Sequence, residues 1–155
     1  MRKAVRAIIV KDEQLLVMHR NKFGKEYYTL IGGRIELGET DEPALMREVK
    51  EETGLFIEKP RLVFVEDAGD PYGTQYIYLC QYVSGDPVLD PDSEEAAIHA
   101  MGQNLYTPEW LPLSDLAGAA FVSEGLKEEL MNALKNGYPK EPKMIHSSSK
   151  MRYNN

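Results

Sequence analysis

Cysteine is nearly missing from this chain, with Cys80 the only one. A single thiol excludes an internal disulfide and a cysteine-based zinc site. Its setting in the apolar run QYIYLCQYV marks it as a small core residue rather than a nucleophile. Basic residues are in the minority: 18 Lys and Arg face 25 Asp and Glu, a net charge of −7. That balance lacks the positive footprint of a general nucleic-acid binder. A small phosphorylated molecule stays admissible, because bound metal inverts the local sign of an acidic site. No apolar run is long enough to span a bilayer, and MRKAVRAIIVKDEQ enters a strand-like pattern without a signal-peptide cleavage region. A cytoplasmic protein with no membrane partner is the expectation. Neither an internal repeat nor a linker divides the 155 residues, which suit one domain with a proper core.

What the chain does have is concentrated between Gly33 and Leu55, which reads GRIELGETDEPALMREVKEETGL. An acidic, glycine-rich loop runs directly into a helix expected over Asp41 to Thr53. Thr40 is the expected N-cap, Pro43 is tolerable in the first turn, and Gly54 closes the helix. Leu45 and Val49 form its core-facing stripe. Glu48, Glu51 and Glu52 then fall at i, i+3 and i+4 and share one face. Like charges at that spacing repel, and more strongly when half-buried. Cations among the carboxylates relieve the repulsion, and hard divalent ions with oxygen ligands, Mg²⁺ above all, are the natural guests.

Around this segment the pattern alternates between strands and helices. Strands are expected at Ala4 to Val10 and Leu15 to His19, across a turn at Lys11 to Gln14. Tyr27 to Leu30 leads extended chain into a turn at Gly32 and Gly33, where missing side chains allow close backbone approach. Arg61 to Glu66 and Gln75 to Val83 read as strands joined across the turn-rich DAGDPYGT, the second apolar on both faces as for a strand covered by helices on both sides. SEEAAIHAMG reads as a short helix capped by Ser93 and stopped by Gly102. EWLPL reads as a short strand, and Ser123 to Asn136 as an amphipathic helix. The domain is expected over residues 1–139, and residues 140–155 as a loosely held, flexible C-terminal tail. Strands and helices without a regular βαβ series imply a mixed sheet between helical layers.

The segment resembles the Nudix box: Gly, five residues, Glu, seven residues, Arg-Glu, an apolar residue, any residue, Glu-Glu, any residue, Gly, and an apolar residue. Gly33, Glu39, Arg47, Glu48, Val49, Glu51, Glu52, Gly54 and Leu55 fill every fixed position. Gly32, Glu36 and Gly38 match common usage, whereas Ile31 stands where proline is frequent. The resemblance, to a MutT-like Nudix hydrolase, implies an α/β/α sandwich with a mixed β-sheet. It also implies a Mg²⁺-dependent hydrolase, with Mn²⁺ as a substitute, that cleaves a diphosphate linkage of a small nucleotide. Glu48 and Glu52, one helical turn apart, are then the best pair of direct metal ligands. Glu51 is a further direct or water-mediated one, and the Gly33 carbonyl completes the shell. One carboxylate serves as general base; relatives differ on which, and Glu52 is favoured here. Arg47, four residues before Glu51, holds a carboxylate in place. Glu39 supports the loop or contacts metal indirectly. The family also brings a carboxylate from a late loop to the metals, a role open to Glu94 or Glu95, which otherwise simply favour a helix dipole. A homodimer is allowed for.

Three readings compete for the activity. A pyrophosphohydrolase leads. An isomerase of isoprenoid diphosphates would need a cysteine upstream of the box, and Cys80 is downstream. A non-catalytic nucleotide-sensing domain would be expected to carry a damaged box. On substrate, a proline some sixteen residues past the box points in parts of the family to ADP-ribose, and a tyrosine there to dinucleoside polyphosphates. Pro71 and Tyr72 satisfy both cues, which cancel, and chain length favours a nucleoside triphosphate over ADP-ribose, nucleotide sugars and dinucleoside polyphosphates. His19 and His99 are read as surface or core-edge residues rather than ligands, and Trp110 as a core residue rather than a base-stacking platform.

Overall fold

A computed structural model of the chain describes residues 2–147. Two hairpins open it. The strands β1 (Lys3–Lys11), β2 (Gln14–Lys22) and β3 (Lys25–Thr29) are joined at Asp12–Glu13 and Phe23–Gly24, and all four turn residues have positive φ. Paired positive φ values give the tight hairpin turn whose twist matches the strands. The strand β4 (Ile31–Arg34) follows, then α1 (Asp41–Thr53), β5 (Phe56–Asp67), β6 (Thr74–Ser84), α2 (Glu94–Ala100), β7 (Asn104–Pro112), a 3-10 turn at Leu113–Asp115, α3 (Glu124–Asn136) and β8 (Lys143–His146).

The strands make one mixed sheet in the order β3-β2-β1-β6-β5-β8, with β4 also paired to β1 and β7 to β2. Its centre, the parallel pair β1 and β6, is covered on both sides. Alternation along β6 divides the core: Ile77 and Leu79 join Leu126, Leu130 and Ala133 of α3, while Tyr78 and Cys80 join Ala44, Leu45 and Val49 of α1. This is the expected α/β/α sandwich with a mixed sheet. Cys80 is buried, and burial pushes its thiol up to about 12, as suits a core residue.

Several expectations change in detail. Gly32 and Gly33 lie within β4, antiparallel to β1, and not in a free turn. Gly32 has φ of 148°, and a Cβ there would lie 2.0 Å from the Val5 carbonyl oxygen, so glycine is what allows the strand to pair so closely. Ile31, where proline is frequent in the family, is fully buried in the α1-side core. β5 begins before Pro60: register shifts between Glu58 and Arg61, with Lys59 at φ 51°, form a bulge that carries the strand past a residue unable to donate. β7 runs nine residues along β2, well beyond EWLPL.

The C-terminal tail also needs correcting. Lys143–His146 pairs in parallel with Phe64–Asp67, and the buried Ser147 hydroxyl donates to the buried Glu66 carboxylate, as does that of Ser123. The domain therefore reaches past residue 139, because a buried carboxylate recruits the following segment. The part of the tail from 148 to 155 lies outside the described residues.

Candidate active site

Helix α1 is held by the features its sequence dictates. Leu45 and Val49 are fully buried, and Gly54 adopts the left-handed conformation with its amide donating to the Lys50 carbonyl. Thr40 occupies the N-cap position, but its side chain makes no capping bond; only its carbonyl accepts, from the Ala44 amide. With the apolar stripe fixed against the sheet, the acidic face turns toward β4.

There Glu48 and Glu52 are buried at 6% and 5% exposure. The amide of Gly32 donates to Oε1 of Glu52 at 3.0 Å. Gly33 fits against Glu48: a Cβ at Gly33 would come within 2.7 Å of that carboxylate. The sequence therefore places two glycines where two carboxylates must come close to backbone. Glu95, from the start of α2, brings a third carboxylate, and oxygens of Glu48, Glu52 and Glu95 all lie within 4.8 Å of one another. Desolvation pushes Glu48 up to about 7, opposed by Arg47 and reinforced by Glu95 and Glu51. Glu52 is pushed up to about 8, again first by desolvation, with Arg6 opposing and Glu48 and Glu95 reinforcing. Three acids crowded in a partly dry space fit a hard divalent cation, which would replace the protons the carboxylates otherwise retain.

Glu51 goes elsewhere. Its carboxylate accepts from Arg47 Nη1 at 3.2 Å and stands outside the trio of acids. Arg47 is the hub of the neighbouring network. It grips Glu39 through Nε at 2.7 Å and Nη2 at 2.9 Å, reaches Glu48 Oε1 at 3.0 Å and donates to the Arg34 carbonyl at 3.2 Å. Glu39 also accepts from the Glu36 amide at 2.9 Å, and Arg47 holds its carboxyl down at about 2. Loop support is thus the position Glu39 takes. Glu94 lines the cavity from an exposed position but does not join the acidic trio. Ser93 caps α2 by accepting from the Ala96 amide at 3.0 Å.

A cavity of about 650 Å³ opens over the three acids, with arginines 2, 6, 20 and 34 also on its walls. Arg6 is tied to the Gln75 side chain at 3.0 Å and to the Leu30 and Gly32 carbonyls at 3.2 and 3.1 Å. Sequence reasoning passed over Arg6, Arg20 and Tyr106. A signal was available for the arginines, which interrupt the otherwise apolar strands AVRAIIV and LLVMHR. His19 bridges Glu26 and Glu109, each at 3.0 Å, and His99 Nδ1 accepts from the Tyr106 amide at 3.0 Å; both stand outside the acidic trio. Trp110 packs edge-on against Tyr82 at the border of the core.

The fold and the acidic helix define a hydrolase scaffold, and a family model described as the NUDIX domain matches residues 1–131. The chain belongs to the Nudix hydrolase family. Among its relatives, an ADP-ribose pyrophosphatase of Methanocaldococcus jannaschii is 33% identical over 139 residues, covering 86% of this chain and 75% of that protein. The NAD-capped RNA hydrolase NudC of Shigella flexneri is 34% identical over 83 residues, 54% of this chain and 32% of its own. The chain thus matches about a third of the NudC length and three quarters of the archaeal protein. In fold it resembles an ADP-ribose pyrophosphatase from Streptococcus suis, with a TM-score of 0.65 at 19% identity over 92% of this chain and 98% of that one. It also resembles a MutT protein from Bacillus halodurans, with a TM-score of 0.67 at 17% identity over 98% and 94%.

Proposed function

We propose that the protein hydrolyses a diphosphate linkage within a nucleoside diphosphate derivative, using Mg²⁺ or Mn²⁺ held by Glu48, Glu52 and Glu95. The observation that carries the reading is the convergence of these carboxylates within 4.8 Å under a cavity walled by arginines. When bound, the metal supplies polarisation of phosphoryl oxygen and an activated water. The Gly32 amide fixes Glu52 so that one carboxylate oxygen is held and the other stays available. Arg47 orients Glu48 while neutralising Glu51 and Glu39, which keeps the acidic face together. Arg6, beside Glu52, offsets part of its charge and lies where phosphate oxygens would enter. Glu52 is the favoured general base: the Gly32 amide holds one of its carboxylate oxygens at the floor of the cavity, and the other can accept a proton from water.

On substrate, the chain-length argument for a nucleoside triphosphate gives way in our reading to ADP-ribose or a close analogue. The archaeal relative supports this, because its identity to the chain extends along most of both proteins. Nucleoside triphosphates are the second choice. Turnover of ADP-ribose, nucleoside triphosphates and dinucleoside polyphosphates with Mg²⁺, run in ¹⁸O-water, tests both levels. Label in a nucleoside monophosphate or sugar phosphate product is the expected outcome. Hydrolysis confined to simple phosphomonoesters would refute it.

A further inference from the structure

The cavity has a second wall, built by β3, β2 and β7. Their registers place Tyr27 and Tyr106 on either side of Arg20, each as its direct cross-strand partner. The guanidinium carbon of Arg20 lies 3.7 Å from the centre of the Tyr106 ring and 5.6 Å from that of Tyr27. Nε donates to the Leu105 carbonyl at 3.2 Å and Nη2 to the Asn104 side-chain oxygen. Two bonds and one stacked ring fix the plane of the group, while Nη1 has no hydrogen-bond partner among the described residues. Two positions along the same strands, Met18 and Thr29 continue the wall, and Ile98 of α2 closes its edge.

This wall differs in kind from the acidic one. A subsite for a phosphate offers several free N–H groups, as flexible point charges or open guanidinium forks. Arg20 has Nε and one Nη2 proton already committed, which takes the Nε–Nη2 side of its fork, and its guanidinium is a flat, cationic group held against the Tyr106 ring. Such a surface suits a planar ring with a π-face, and the remaining Nη1 suits a ring nitrogen or carbonyl acceptor. A planar heterocycle carried by a diphosphate is a nucleobase.

We propose that the Arg20–Tyr106 pair is the nucleobase subsite, positioning the base on the wall facing Glu48, Glu52 and Glu95. The proposal rests on the reading that the cavity takes a nucleotide, and it assigns the residues that choose one. Arg20 and Tyr106 act on binding, at a distance from the bond that breaks.

Titration calorimetry in the presence of EDTA tests this without turnover, so that failure of the hydrolysis reading and failure of this one are distinguishable. The probes are AMP, GMP, UMP and CMP, each compared with ribose 5-phosphate, which has no base. At least one nucleotide binds the wild-type protein about tenfold more tightly than ribose 5-phosphate. Arg20→Ala and Tyr106→Ala abolish that preference, whereas ribose 5-phosphate binds all variants alike. Because Tyr106→Ala can disturb β7, Tyr106→Phe and Arg20→Lys accompany it, with circular dichroism as the check on folding. The ring-preserving Tyr106→Phe keeps the preference and Arg20→Lys, which loses the plane, does not. Equal binding of all five probes to the wild type overturns the proposal, as does a preference that survives Arg20→Ala and Arg20→Lys in folded protein.

Discussion

The amide of Gly32 lies 3.0 Å from Oε1 of Glu52, linking a strand and a helix across twenty residues of sequence in the buried floor of the cavity. That single donor stabilises the charged form of Glu52, yet burial outweighs it and leaves the carboxyl well above its ordinary 4.5. Glu48 is raised in the same direction. Without metal, the folded protein retains protons that the unfolded chain releases above about pH 4.5. Rising pH therefore costs stability from about pH 4.5 upward until both groups have ionised, above about pH 8. Melting temperature of the metal-free protein should fall across that window. Glu52→Gln should flatten the fall and reduce turnover by on the order of a hundredfold or more. Apparent Mg²⁺ affinity should rise through the same window, because binding displaces protons. A melting temperature independent of pH from 5 to 8 would contradict this picture.

The neighbouring glycines should respond differently to alanine. At Gly32 the new Cβ meets the Val5 carbonyl oxygen, which belongs to the sheet and has nowhere to go. Gly32→Ala should cost about 2 kcal/mol or more in denaturant unfolding. At Gly33 the obstacle is the Glu48 carboxylate, a side chain able to move. Gly33→Ala should fold, with a smaller loss of stability, and require more Mg²⁺ for half-maximal rate. Equal stability losses in the two variants would show that Glu48 is not free to yield.

Arg47→Met should release Glu39, Glu48 and Glu51 together. Glu39 is held down by Arg47, so its contribution to stability is present above pH 4.5 and disappears as pH falls toward 2. The variant should show a shallower acid-side loss of stability than the parent, together with weaker metal binding. Arg47→Lys cannot reproduce the two-pronged grip on Glu39 and should restore little. Acid unfolding followed by fluorescence would separate these outcomes.

Glu94 and Glu95 share the first turn of α2, but only Glu95 joins the acidic trio. Glu95→Gln should raise the Mg²⁺ concentration for half-maximal rate severalfold or more, whereas Glu94→Gln should leave it unchanged. Both should lower stability by under about 1 kcal/mol through the helix dipole. An unshifted metal titration for Glu95→Gln would remove that residue from the site.

Ending the chain at Glu141 should destabilise it. The truncation removes the strand paired with Phe64–Asp67 and leaves Glu66 buried without the Ser147 hydroxyl. A loss of about 2 kcal/mol or more is expected in urea unfolding. A truncated protein as stable as the parent would restore the picture of a loosely attached tail.

What could be read from the sequence was local. Glu48 and Glu52 are one turn apart on a helix whose cap and stripe are plain, and Arg47 with Glu51 follows the same spacing. The sequence narrows the late-loop carboxylate to Glu94 or Glu95 and no further, because a one-residue difference in helix phase decides which of them joins Glu48 and Glu52. Arg20 and Tyr106 meet only through the pairing of β2 with β7, strands more than eighty residues apart in sequence, and no local pattern encodes that register. β8 stayed hidden for a similar reason: the segment from Lys140 to Asn155 has little periodic apolar content, and the place of KMIH is set by pairing with β5, beside Glu66, far upstream.

Helix α2 delivers Glu95 to the carboxylate cluster without burying a single residue of its own. Its anchoring is peripheral: the Ser93 cap and the bond from the Tyr106 amide to His99. Two of the three acids are thus set in the foundations of the domain, and the third hangs from a replaceable fitting. Sequence change in α2 can retune metal affinity, or reshape the cavity edge at Ile98, while leaving the folding of the sandwich almost untouched.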